Sequence, residues 1–501
     1  MTYASDITVR PTTTVLELPF TADELLRTLL RLAPERRVQI LDSGGARGVD
    51  EARFLIAGFD PFETVEARGD ELLIERRDEA PARVECGSLL SLLDERLARH
   101  RVRQEAQEEE QEEKASQLPF AGGACIASFA YDFARGFQRL RSRAPSSTLA
   151  AREPDAALAF YDTLVVHDYT RGFTYLTSIA GEKQLARARA ALDEARRTLG
   201  FDDAADEHVE RLTATRATSN FTRAEYAAAV RRIKQHIYAG DIYQANLTQQ
   251  FTCPLSAGDS AERLFLRLRR AHPASFAAFL RRRGDTVISA SPERFLRVSR
   301  EEGACERRVE AWPIKGTRAR GRTPEEDARL REELRRSAKD AAENVMIVDL
   351  MRNDLGRVCL YGTVEVAALC EVQEHPTLFH LVSKVRGRLR AEVSAGELLR
   401  ATFPCGSITG APKLRAMEII DDCERAPRGL SMGAVGYFSF DGRIDLSVAI
   451  RTMTVRDHLA RFNVGGGIVA ESDPEAEYEE SLVKARALLS ALGARLERGQ
   501  C

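Results

Sequence analysis

The 501-residue sequence is short of the features that would mark a simple class. Its nine cysteines are odd in number and no two stand at C-x-x-C spacing. That excludes a disulfide framework or a zinc ribbon and reads as reduced, mostly core thiols of a cytoplasmic protein. No apolar run is long enough to span a membrane, and the first residues, Asp6 among them, read as neither signal peptide nor transmembrane segment. Neither sign of charge dominates: 73 Lys and Arg against 76 Asp and Glu leave a net charge of -3. No global field draws the chain to nucleic acid or an anionic membrane, so any anion site must be local. Internal repeats and a regular βαβ period are also missing, which argues against a Rossmann sheet.

What is there is a chain with 44% hydrophobic residues, enough for two to four average domains or one large one with a subdomain. Residues 13–200 alternate short strands with helices. Ala22–Leu32 reads as a helix; Val38–Asp42, Phe54–Phe59, Glu71–Arg76, Ala157–Tyr161 and Thr163–Tyr169 read as strands. An insertion near 101–118, packed with Glu and Gln, reads as a solvated segment, not a binding tail. Polar residues 202–220 mark a boundary, and a second region spans 221–493. It opens with Thr222-Arg223-Ala224-Glu225, a capping box before a helix that Gly240 should stop. The pattern predicts a large α+β fold or mixed sandwich.

The chemistry-bearing residues gather in the last third. A helix over Lys339–Arg352 places Asp340, Glu343 and Ile347 at i, i+3 and i+7, so both carboxylates share a face. A second helix, with Asp473 as N-cap and Pro474 at its first position, places Glu477, Glu480 and Lys484 at the same spacing. Each set alone fits a solvated face; together they could converge on a divalent ion, since hard cations take carboxylate oxygens. Gly406-Ser407-Ile408-Thr409-Gly410-Ala411-Pro412-Lys413 fails as a phosphate loop, because Ala-Pro follows the second glycine. Pro412 suits the first turn of a helix whose free N–H groups could hold a carboxylate. Gly465-Gly466-Gly467, after an apolar strand, permits either a tight turn or close backbone approach to an anion. They do not match G-x-G-x-x-G, so a dinucleotide site is not expected. His380 lies in an apolar strand-like run, where an isolated histidine is ordinarily a satisfied core residue. Lys315, between Ile314 and Gly316, is either a surface lysine or, if held away from water, a nucleophile or base.

Taken together these residues resemble the chorismate-binding enzymes. The family holds the component I chains of anthranilate synthase and aminodeoxychorismate synthase, with the isochorismate and salicylate synthases. The resemblance runs from about Thr222 to Leu492 and is carried by Ala342-Glu343-Asn344-Val345-Met346-Ile347-Val348-Asp349-Leu350-Met351-Arg352-Asn353-Asp354-Leu355-Gly356 and the Gly406–Lys413 loop. The first half is similar only through Leu41-Asp42-Ser43-Gly44 and Gly122-Gly123. The Gly122–Asp132 stretch departs from the family's glycine-tyrosine pattern, and Ser431 stands where the family usually has a tyrosine near the enolpyruvyl carboxylate.

The resemblance implies an α+β fold of two large sheets packed face to face with outer helices. It implies Mg²⁺ held by Glu343 and Glu480, with Asp340 and Glu477 behind them, and a substrate carboxylate on the ion. Arg451 would pair with the other carboxylate of chorismate; Ser407, Lys484 and the amides of Gly466 and Gly467 would complete the cradle; His380 would sit near the C4 hydroxyl. The Pro-Ile-Lys-Gly-Thr form around Lys315 resembles the aminodeoxychorismate subgroup, where the lysine attacks C2, the C4 hydroxyl leaves, and ammonia then displaces the lysine. Anthranilate synthases resemble the chain here but typically carry alanine. Gln244 argues against the isochorismate and salicylate synthases, which place a water-activating lysine there. No glutamine amidotransferase nucleophile motif is present in the 501 residues, so ammonia is expected from a separate subunit. Anthranilate synthesis, or a non-catalytic tryptophan-binding subunit with Leu41-Asp42-Ser43 at its ligand, are the alternatives.

Overall fold

A computed structural model describes residues 14–45, 52–101, 118–120, 122–138, 140, 153–198, 215–300, 306–375 and 378–497. The Glu- and Gln-rich insertion and most of the polar boundary fall outside these residues.

Two sheets, of 13 and 12 strands, dominate the fold, and their described pairings are antiparallel except that of Thr215–Ser219 with Ala494–Leu496 in the first. Both halves of the chain supply strands to both sheets. In the first, Gln39–Asp42 pairs with Phe276–Arg281; in the second, Ala124–Phe129 pairs with Ala434–Ser439. The sheets meet through Ile56, Leu164, Ala278 and Val287 on one side and Ala124, Ile126, Tyr161 and Val435 on the other. Two larger cores lie on the outer faces. One packs Leu25, Leu29, Leu192, Leu264 and Leu488 from helices against the first sheet. The other packs Leu89, Leu93, Ile347, Met351 and Leu399 against the second. The result is a layered α/β/β/α sandwich, as the resemblance implied. Strands such as Ala124–Phe129 and Ala156–Tyr161 are buried at every position, which explains their almost wholly apolar sequences: both pleat faces are covered.

Local signals read from the sequence hold with small shifts. The Thr222 capping box is formed, with Thr222 Oγ1 accepting from Glu225 N and Glu225 accepting in return from Thr222 N. That helix runs Arg223–Tyr238, and Gly240 follows at φ +79°. The strand that follows runs Gln244–Pro254. Two expectations change. Gly465, Gly466 and Gly467 form no turn but are the end of the Leu459–Ile468 strand, paired with Thr248, Leu247 and Asn246. Pro412 is the N-cap of the Lys413–Cys423 helix, and the loop before it contains a 3-10 turn at Gly406–Ile408 and a two-residue strand.

Candidate active site

The Ala338–Gly356 helix is capped by Ser337, whose hydroxyl accepts from Asp340 N. Its fully buried Asn344 donates to Leu381 O at 3.2 Å and accepts from the Ser383 hydroxyl. This side-chain pair pins the helix carrying Glu343 to the Leu378–Leu389 strand carrying His380. The Pro474–Ala491 helix starts as expected on Asp473 and brings in Glu477 and Glu480.

Burial raises the Glu343 carboxyl above its ordinary range; Lys315 and Lys339 oppose this, and Asp340 and Glu480 add to it. Burial also raises Glu477, against a hydrogen bond from Ser472 and with further upward pressure from Glu480. Burial alone would raise Glu480 too, but Lys484, 2.8 Å away, and the more distant Lys339 and Lys315 hold it below the ordinary value. Three glutamates and three lysines therefore share one electrostatic neighbourhood. Gly466 faces it: a Cβ there would lie 3.3 Å from Glu477 Oε2, 3.3 Å from Lys484 Nζ and 3.7 Å from Glu480 Oε1. A side chain at 466 would fill the space beside the carboxylates. At Gly465 the clash is with backbone, 1.8 Å from Leu247 O, and at Gly467 with Gln244 Nε2 at 2.5 Å. Lys484 spends its ammonium on Gly465 O as well as Glu480. Asp340 is turned to Arg318 at 3.4 Å and packs against Gly316.

Lys315 lies on the edge strand Ile314–Ala319, half-buried, with Nζ 3.4 Å from Ser407 O. Beyond the same serine sits Glu293, a residue the sequence reading passed over. It follows the buried Thr286–Ser291 strand, is 5% exposed, and its Oε1 has no hydrogen-bond partner among the described residues. Burial pushes its carboxyl up to about 7, despite the Ser407 hydroxyl, the charge of Lys315 and the Ile314 amide. The signal available in the sequence was a glutamate behind Pro292 between two apolar strands. Ser407 is itself buried, with its hydroxyl 3.3 Å from Cys405 Sγ.

Arg451 has no acid beside it among the described residues. Its side chain has no ion-pair or hydrogen-bond partner among the described residues, and burial alone lowers its pKa. It holds a left-handed conformation, φ 48°, which costs a non-glycine residue on the order of 1 kcal/mol and is typical of constrained functional positions. His380 is close enough to feel it. Burial first, then His375 and Arg451, push the imidazole down to about 3, so the ring is neutral, with Nδ1 3.0 Å from Thr317 Oγ1. Gln244 is fully buried, and neither its Nε2 nor its Oε1 finds a partner among the described residues. A buried primary amide left unpaired costs about 1–3 kcal/mol, so its place against Gly467 suits a ligand that would satisfy it. In the other half of the chain, Asp42 is buried and engaged by Arg269 Nε at 2.5 Å and the Tyr169 hydroxyl at 2.7 Å. Ser431 is tied into the sheet, donating to Thr452 O and accepting from Asn463 N.

The residues present fit a magnesium ion in one respect that can be tested on the geometry. Among the described residues no group of three His, Cys, Asp or Glu side chains is placed to cage a metal. Mg²⁺ is commonly held by one or two carboxylates, with water and substrate oxygens completing its shell, and mutually repelling, partly buried glutamates supply such a pair.

A two-sheet α+β sandwich with clustered carboxylates, a half-buried lysine and an arginine that has no partner among the described residues fits an enzyme for a small polyanionic substrate. The chain belongs to the chorismate binding enzymes, whose family model matches residues 48–490. It is 38% identical over 442 residues to aminodeoxychorismate synthase component 1 of Escherichia coli (strain K12), covering 88% of this chain and 90% of that one. It is 35% identical over 458 residues to anthranilate synthase component 1 of Geobacillus stearothermophilus, covering 88% and 86%. Among solved structures, anthranilate synthase component I from Streptococcus pneumoniae TIGR4 superposes with a TM-score of 0.73 at 27% identity, over 88% of this chain and 93% of that one.

Proposed function

We propose that the chain converts chorismate and ammonia to 4-amino-4-deoxychorismate. The observation that carries this reading is the meeting of Lys315 and Glu293 at Ser407: a half-buried lysine near a carboxyl that burial lifts to about 7. Lys315 Nζ bonds to C2, the ring double bond shifts, and the C4–O bond breaks. Glu293 would give the leaving hydroxyl its proton, so that water departs. Ammonia then bonds to C4, the double bond shifts back, and the C2–N bond to Lys315 breaks. The enolpyruvyl ether is untouched. Arg451 would clamp one substrate carboxylate through its two-pronged guanidinium. Neutral His380 would act as a hydrogen-bonding group near C4, and the Gln244 amide and the Gly466–Gly467 backbone would line the cradle. Glu343 and Glu480 would hold Mg²⁺, which when bound neutralises the second carboxylate of chorismate.

Ammonia would come from a separate glutamine amidotransferase subunit; several relatives carry the words "component 1" in their names. No described helix is long and apolar enough to cross a membrane, in keeping with a cytoplasmic enzyme. The deciding experiment incubates the purified chain with chorismate, ammonium and Mg²⁺ and identifies the product by mass and fluorescence. Anthranilate and pyruvate as main products would overturn the reading in favour of the other synthase; no turnover at all would favour a regulatory subunit.

A further inference from the structure

We infer that Arg428 is a positioning residue for the active site, acting with Glu424 as a side-chain brace in place of a missing strand. The inference rests on the proposed chorismate chemistry. The Gln244–Pro254 strand pairs along one side with Leu459–Ile468 from Ala245 to Pro254. Its other side is covered in pieces. Gln244 and Ala245 pair with Ala411 and Gly410, and Asn246 N donates to Thr409 O. Further on, Asn220 takes Gln250, and Thr218 and Ser219 take Thr252 and Phe251. Between these lie Asn246 O and Thr248 N, buried and without a partner strand. Arg428 Nη2 donates to Asn246 O at 2.5 Å, and Glu424 Oε1 accepts from Thr248 N at 2.7 Å and from Thr248 Oγ1 at 2.8 Å. Buried backbone groups must find partners, and here an ion pair supplies them.

The same guanidinium reaches the substrate loop. Arg428 Nη1 donates to Ile408 O at 2.8 Å, the carbonyl next to Ser407, while Nε and Nη2 hold Glu424. The ring of Tyr131 covers its face at 4.3 Å, and the Arg428 and Glu424 side chains are 1% and 3% exposed. One planar fork thus fixes the spacing between the strand bearing Gln244 and the loop bearing Ser407, to which Lys315 is bonded. Lysine could keep the charge pair, but its donors sit on one nitrogen and cannot span the positions that the separate guanidinium nitrogens reach.

The test compares wild type, Arg428→Lys and the uncharged replacement Glu424→Gln/Arg428→Met, assayed well below the melting temperature of each. The double variant guards against misfolding from a lone buried charge. Misplacement of reacting groups by about 1 Å can cost about a hundredfold, so kcat for ammonia-dependent turnover should fall at least about tenfold in both. KM for chorismate should change by less than about threefold, because Arg451 is left in place. Independently of any activity, amide exchange should quicken in peptides covering 244–248 and 406–409 and stay unchanged in 286–291. Wild-type kcat in a folded variant, or unchanged exchange at 244–248 and 406–409, overturns the brace. An inactive wild type with the expected exchange pattern overturns the chorismate reading and leaves the brace standing.

Discussion

The Ser383 hydroxyl donates to Asn344 Oδ1 and at the same time accepts from Cys370 N at 2.8 Å. The Ala338–Gly356 helix, the Leu378–Leu389 strand and the Glu365–Glu374 strand that pairs with it meet at that one oxygen, so the distance between Glu343 and His380 is set by a buried polar contact and not by apolar packing alone. Ser383→Ala leaves Asn344 Oδ1 and Cys370 N without their partner, each worth about 1–3 kcal/mol when buried. We expect a lower denaturation midpoint with an unchanged slope, measured in urea, and reduced turnover. A midpoint equal to wild type would show that the contact adds nothing to the fold.

Glu343 and Glu480 are expected to act as a unit on Mg²⁺. Removing either should abolish turnover and the rise in melting temperature produced by Mg²⁺ with chorismate; removing both should cost little more than one. Chelation should inactivate wild type reversibly. Glu480→Ala that turns over at the wild-type rate in excess chelator would dismiss the metal assignment.

Much of this was legible in the sequence because the relevant forces are local. Helix starts at Thr222 and Asp473 are written in residues within three positions of each other, and the carboxylate spacing follows from helical geometry alone. Gly465–Gly467 left two readings open for a physical reason. Glycine signals either backbone freedom or absence of a side chain, and here only the second matters, because Leu247 O and Gln244 occupy the space. Glu293 was not legible because its meaning depends on burial against Ser407 and Lys315, which lie 114 and 22 residues away in sequence. The roles of Arg428 and Asn344 were hidden likewise: each is defined by carbonyls of distant segments.

Glu293 gives the protein a pH signature. Its carboxyl rises from 4.5 to about 7 on folding, equivalent to about 3 kcal/mol. A raised carboxyl binds its proton more tightly when folded, so this stabilisation is full below pH 4.5 and is lost as pH climbs to about 7. Glu293→Gln lacks the titration. Melting curves from pH 4 to 8 should therefore show wild type losing stability relative to the variant across that window. Parallel curves would mean that Glu293 ionises as freely in the folded protein as in the unfolded chain.

Arg451→Lys keeps a positive charge but loses the paired donors suited to a carboxylate. Because no acidic side chain holds Arg451 among the described residues, the change should cost little in melting temperature. KM for chorismate should rise by about tenfold or more, corresponding to about 1.4 kcal/mol of lost binding. An unchanged KM would remove Arg451 from the substrate site.

Lys315 carries the choice between the two syntheses. Its ammonium lies 3.4 Å from Ser407 O, on the loop that also faces Glu293. Attack on C2 frees C4 of its hydroxyl only if that oxygen gains a proton, which Glu293, its carboxyl lifted to about 7, can give. Without ammonia that step has no successor. Chorismate and Mg²⁺ alone should therefore leave a covalent adduct on Lys315, heavier than the chain by chorismate less one water, visible in intact-protein mass spectra. Addition of ammonium should discharge it with release of 4-amino-4-deoxychorismate. Lys315→Ala should abolish the adduct, and any slow residual turnover should drift toward anthranilate, since ammonia could then reach C2 in the vacated space. Wild type that forms no adduct and yields anthranilate would make Lys315 a bystander and return the chain to the anthranilate branch.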